Sequence, residues 1–156
     1  MKQIALKLCS LIVACFFIVF LFPVPQVHAA ETADTVEKYT IEDLGNGFTA
    51  ETTFIIHGSD SRSSSTSATL VRTFKQDGSW IATVTFNASF GYNGISSGVL
   101  STDSSVSLKD GWSYTDQKIT KSGGTATLTA NLKKFPLVVP VDMNIHCTPD
   151  GKLSKW

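Results

Sequence analysis

The sequence predicts an all-β domain, an antiparallel β-sandwich of about eight strands, with a small β-barrel as the alternative closure. Three observations carry this. Apolar residues beyond position 30 recur with a period of two rather than 3.6, the spacing of a strand with one covered face. Ser and Thr supply 35 of residues 31–156, and β-branched or hydroxyl-bearing residues suit a pleated, half-exposed surface. Turn pairs that tolerate positive φ punctuate the chain: Gly45-Asn46-Gly47, Asp77-Gly78, Asn93-Gly94, Asp110-Gly111, Gly123-Gly124 and Asp150-Gly151.

The elements follow in order. Strands are expected at 36–43 and 48–56, on either side of Asn46-Gly47. Ala68, Leu70, Arg72 and Phe74 alternate along a strand at 67–74, and Gln76-Asp77-Gly78-Ser79 turns it into a hairpin with 80–90. In that second arm Trp80, Ala82, Val84, Phe86, Ala88 and Phe90 form one face, and Trp80 is expected in the core with the others. A run this long calls for a bend or bulge within it. Further strands are expected at 104–108, 112–117, 125–133 and 138–147, with 152–156 closing a last hairpin. The polar run Ser59-Asp60-Ser61-Arg62-Ser63-Ser64-Ser65-Thr66 reads as a loop. There is no internal repeat, and 31–156 reads as a single domain.

Residues 1–30 read differently. Lys2 and Lys7 precede an apolar run over 8–22, Pro23 and Pro25 break it, and Val27-His28-Ala29-Ala30 offers small residues to a signal peptidase. A secretory signal peptide cut after Ala29 or Ala30 is expected, which makes the mature protein extracellular or cell-surface associated. A retained membrane anchor and a lipoprotein cut before Cys15 are the rival readings; Pro23 and Pro25 weigh against the first, and Phe16-Phe17-Ile18 after Cys15 against the second. On either rival reading the membrane is a partner only through this segment.

With Cys9 and Cys15 in the signal, Cys147 is the only mature cysteine, so no intramolecular disulfide can form and the core must hold the domain. Cys147 continues the alternating series Val139, Val141, Met143, Ile145, which predicts a buried, inert thiol. Residues 31–156 carry 11 basic against 13 acidic residues with no basic cluster, a balance that argues against a nucleic-acid partner.

The motifs of catalysis and metal binding are missing. His57 and His146 are the only histidines past residue 30, with no H-x-H, H-E-x-x-H or C-x-x-C beside them, so no metal site and no cofactor are expected. Asp142 and His146 share a strand face but stand four residues apart, about 13 Å, too far to chelate one ion. No G-x-S-x-G elbow occurs and Glu42-Asp43 is the only adjacent acidic pair. The feature with functional reach is the pair Trp112 and Tyr114, on one face of a short strand after Asp110-Gly111. Exposed together they would offer a binding face for a sugar ring or a protein partner; turned inward they would fill the core.

From Trp80 onward the landmarks run Gly78-Ser79-Trp80, Phe90-Gly91-Tyr92-Asn93-Gly94, Gly111-Trp112-Ser113-Tyr114, Gly123-Gly124-Thr125-Ala126 and Ile145-His146-Cys147 before Asp150-Gly151. In this order over about 67–154 the chain resembles small secreted proteins of Gram-positive bacteria that carry a signal peptide and one β-rich domain of unknown function. The resemblance implies an exported β-sandwich and assigns no activity. The expectation from the whole sequence is a secreted, non-catalytic module that binds a glycan or a protein. The alternatives are an extracellular hydrolase whose site gathers His57, His146 and carboxylates from distant strands, and a small-ligand carrier if the strands close a barrel around a cavity.

Overall fold

The computed structural model describes residues 35–58 and 64–155. The expected signal segment, the first five residues of the polar run (59–63) and Trp156 lie outside the described residues. Nine strands and no helix occur among them: β1 (Thr35–Gly45), β2 (Phe48–His57), β3 (Ser65–Gln76), β4 (Ser79–Tyr92), β5 (Ser97–Leu108), β6 (Ser113–Ser122), β7 (Thr125–Lys134), β8 (Leu137–Cys147) and β9 (Leu153–Lys155). They form two antiparallel sheets, β1-β2-β3-β4-β5 and β6-β7-β8-β9, each a meander in which every strand pairs with its neighbour in sequence. The sheets do not close into a barrel. They pack face to face as a sandwich.

Turn chemistry fixes the β1–β2 and β3–β4 hairpins. Asn46 and Gly47 have φ of 54° and 76°, and Asp77 and Gly78 have 49° and 78°, so each two-residue loop adopts positive φ at both central positions and matches the twist of its strands. With register set there, alternation decides the faces. Ala50, Phe54, Ala68, Leu70, Phe74, Val84, Phe86 and Phe90 of the larger sheet point inward and are buried; Leu128, Leu132, Val141, Met143, Ile145 and Cys147 of the smaller sheet meet them. The larger sheet supplies the aromatic rings and the smaller one the aliphatic side chains that pack between them.

The bulge expected in the long fourth strand is present, and it relocates Trp80. Phe74 pairs with Ala82 but Lys75 pairs with Trp80, so Ile81 is left without a partner across the hairpin. The extra residue reverses the alternation: Ile81 is 2 % exposed and Trp80 40 %. Trp80, expected in the core, stands on the outer face, where its Nε1 donates to Thr83 Oγ1 at 3.0 Å. A second bulge at Leu100, between the pairs Ser89–Ser101 and Phe90–Val99, turns Leu100 out over Gly91. Here β5 reaches seven residues further toward the N-terminus than the 104–108 read from the sequence, because Ser97–Asp103 carries no regular apolar alternation and is held by backbone pairing and the Ser101 Oγ to Ser89 Oγ hydrogen bond.

The sheets are joined by polar links along both open sides. Val99 N–H donates to the Gly123 carbonyl (3.1 Å) and Ser97 Oγ to the Cys147 carbonyl (2.6 Å). Gly124 sits at that junction, and any Cβ there would lie 2.2 Å from Ser97 Oγ and 2.3 Å from the Cys147 oxygen, which admits only glycine.

A third bulge, in β6 between Thr115 and Lys118, holds Asp116 at φ 58° with its carboxylate accepting from Thr115 Oγ1, Asn131 Nδ2 and Lys133 Nζ. The hydrogen bond and charge of Lys133, followed by the bonds from Asn131 and Thr115, hold this carboxyl at about 2 against an ordinary 3.8. A group whose folded pKa is depressed contributes its stability fully above the unfolded value and loses it as pH falls through the folded one. The stability difference between the wild-type chain and Asp116→Asn should therefore be constant above about pH 5 and shrink through 3.8 toward 2, as read from urea midpoints across that range; a difference independent of pH contradicts the assignment.

Candidate functional site

One side of the sandwich departs from the apolar-in rule. On the inward face of β3, Arg72 stands in phase between Leu70 and Phe74; on β2, Thr52 stands between Ala50 and Phe54; on β1, Thr40 and Glu42 pair with Thr52 and Ala50 and share their face. These side chains point toward the smaller sheet at a place where it runs out of strands. The three-residue β9 pairs with Ile145, His146 and Cys147, so among the described residues no strand lies beside the outer edge of β8 from Val138 to Asn144. Arg72 meets that edge: its Nη1 donates to the Asp142 carbonyl at 2.7 Å, its Nη2 bonds the Glu42 carboxylate, and its guanidinium carbon lies 5.3 Å from the centre of the Phe74 ring. Lys155 reaches back from β9 to Thr40 Oγ1 at 2.8 Å.

Between these links lies an open cleft of about 370 Å³ lined by Thr40, Glu42, Thr52, Leu70, Arg72, Asp142, Asn144 and Lys155. Its walls combine the cations Arg72 and Lys155, the Glu42 carboxylate and the hydroxyls of Thr40 and Thr52 with the edge of β8 at Asp142 and Asn144, over a floor that includes Leu70. The Arg72 side chain is only 11 % exposed, and the edge beside it is ordered on its outer face, where Asn144 donates to Asp142 Oδ1 (3.1 Å) while accepting from Thr127 Oγ1 (2.6 Å). Pre-ordered donors and acceptors around a concavity lower the entropic cost of fixing a polar ligand. The lining holds no Ser, Cys or His, so it offers no nucleophile paired with an imidazole base.

The residues singled out from sequence fall elsewhere. Trp112 is 7 % exposed and packs edge-on against Phe48, with ring centroids 6.1 Å apart at 86°. Tyr114 beside it is half-buried against the same core, and its Oη is enclosed with no hydrogen-bond partner among the described residues; burial pushes the phenol pKa up. The pair is together, but Trp112 offers no open ring face for stacking. His57 Nε2 bonds Thr69 Oγ1 (2.7 Å), and Thr69 Oγ1 donates to Asn87 Oδ1 (2.7 Å), on the outer face of the larger sheet. His146 Nδ1 bonds Thr125 Oγ1 (3.0 Å) on the outer face of the smaller one. Asp43 caps the first turn by accepting from Gly45 N–H (2.8 Å). Among the described residues no three His, Cys, Asp or Glu side chains come close enough to hold a metal ion. Cys147 is fully buried, and burial followed by the nearby Asp150 charge pushes its thiol pKa up.

The cleft itself had a signal in the sequence. A charged residue at an inward phase of an alternating strand, such as Arg72 between Leu70 and Phe74, is costly unless paired, so its presence points to a local opening of the core. No family model, curated protein or solved structure matches the chain.

Two measurements check this geometry. Tyr114→Phe removes a hydroxyl that has no partner, so unfolding in urea should show stability unchanged or raised by up to ~1 kcal/mol, whereas a loss above that range would reveal a partner. Brief treatment of the folded chain with a maleimide, followed by peptide mass mapping, should leave Cys147 unmodified until denaturant is added; modification at the rate of a free thiol contradicts its burial.

Proposed function

We propose that the chain is an exported, non-catalytic binding module whose ligand contact is the polar cleft between β1–β3 and the edge of β8. The observation that carries the reading is the set of inward-facing charged and hydroxyl groups at Arg72, Glu42, Thr40, Thr52 and Lys155 around an accessible concavity, with Arg72 bonded to Glu42 and Lys155 to Thr40. A cleft of this size takes one or two sugar rings or a short polar peptide segment, and its mixture of planar charged groups and hydroxyls suits a ligand rich in hydroxyls. A glycan is the ligand class favoured. Export is supported by the signal-like segment and by the resemblance to small secreted β-rich proteins.

The hydrolase and carrier readings have less behind them. The two histidines are each engaged on the outer face of a different sheet, away from the cleft lining, and the space between the sheets is occupied by side chains of a shared core.

Titration of the chain against a panel of soluble oligosaccharides and acidic and basic peptides, followed by calorimetry, tests the proposal. The expected result is saturable binding that weakens about tenfold or more in Arg72→Met and in Lys155→Gln, corresponding to loss of one charge-assisted hydrogen bond. Lys155→Gln removes a link at the periphery and preserves the core, so it separates lost contact from lost folding. Binding unaffected by either substitution moves the site elsewhere, and turnover of a panel member overturns the non-catalytic reading.

A further inference from the structure

The hairpin joining β7 and β8 ends in the two-residue turn Phe135-Pro136, and Phe135 is 100 % exposed. Nothing in the described fold packs on its ring, so the fold does not require an aromatic side chain there. Val138, on the same hairpin, is also open at 58 %. The flanks are basic. Lys134 precedes the ring and lies along the β5–β6 connection, where a Cβ on Gly111 would stand 3.6 Å from its Cε and 3.8 Å from its Nζ, and Lys109 belongs to that same connection. Among the described residues neither Lys109 nor Lys134 is in an ion pair, whereas Lys133 is bound by Asp116. With Asp110 counted, three lysines face two carboxylates.

We infer that the β7–β8 tip is a membrane-docking element that seats Phe135 in the interfacial layer of an anionic lipid bilayer, with Lys134 and Lys109 at the headgroups. The shape selects this occupant over a protein. A stable protein interface needs a broad, complementary patch of roughly 800 Å² per partner with an apolar centre, and a single ring on an exposed two-residue turn, preceded by Lys134, has no such centre. The same arrangement fits the bilayer boundary, where an aromatic ring is buried a few ångströms deep while lysine stems run along apolar surface and leave their charges among anionic headgroups. One ring and two charges give weak, reversible attachment, which would hold the cleft near a surface without fixing it there. The inference is independent of what the cleft binds.

Co-sedimentation of the full chain with phosphatidylcholine vesicles, with and without phosphatidylglycerol, tests it. Binding should be stronger on the anionic vesicles, fall about tenfold in Phe135→Ser, the loss expected for one buried aromatic contact, and fall in Lys134→Glu. Added salt should weaken the anionic component. Both substitutions lie on an exposed turn, and far-ultraviolet circular dichroism and urea midpoints equal to wild type verify that the fold is retained. The apolar segment at 8–22 is common to every variant, so the lipid concentration is set where wild type is about half bound and the comparison is made on the lipid concentration needed for half-binding, which a shared attachment does not saturate. Equal partitioning of wild type and Phe135→Ser overturns the inference, as does equal binding to neutral and anionic vesicles, or cross-linking from position 135 to a protein alone.

Discussion

The two sheets are held together by burial. No disulfide can join them, because Cys147 is the only cysteine past the first thirty residues, and the remaining structure depends on five phenylalanines of one sheet, Phe48, Phe54, Phe74, Phe86 and Phe90, meeting the mostly aliphatic layer of the other. Full burial of side chains of this size contributes ~1.5–3 kcal/mol each. An exposed ion pair contributes about 0–1 kcal/mol, so pairs such as Lys152–Asp150, with both side chains more than half exposed, decide little about folding. Polar links such as Ser97 to the Cys147 carbonyl instead align layers that the core has already brought together.

That dominance explains what the sequence revealed. Strict alternation in β2, β3, β7 and β8 has one cause, a buried face, so class, the positions of these strands along the chain and most of the core could be read from residue spacing, and paired positive φ at Asn46-Gly47 and Asp77-Gly78 could be read from residue type; which strands share a sheet could not, because pairing between strands leaves no mark on spacing within one. The misreadings come where a backbone irregularity breaks the link between spacing and face. Nothing in Gly78-Ser79-Trp80-Ile81-Ala82 marks Ile81 as the bulged residue, and its insertion moves Trp80 from the core to solvent. The first half of β5 was illegible because an edge strand of Ser and Gly earns its place through backbone hydrogen bonds that leave no apolar signature.

The cleft was half legible. Arg72 at an inward phase is visible in the sequence, but its partners come from residues 30 and 70 positions away, and neither periodicity nor local propensity reports a contact of that span. Where β8 pairs with no described strand, Arg72 supplies the donor to the Asp142 carbonyl and bonds Glu42 of the facing sheet, and these two contacts place its guanidinium at the cleft.

The meander topology also bears on how the chain acquires its structure. Every strand pair forms between sequence neighbours, so loop closure for each hairpin is short and the entropic penalty small. The distant contacts are those between sheets, such as Lys155 with Thr40, 115 residues apart. A chain emerging from its N-terminus can complete the five-stranded sheet once Leu108 is available, yet its phenylalanine face then has no cover until β6, β7 and β8 follow. During that interval the growing chain presents its greatest area of unshielded apolar surface. The order of the strands thus sets when this polypeptide is most prone to self-association.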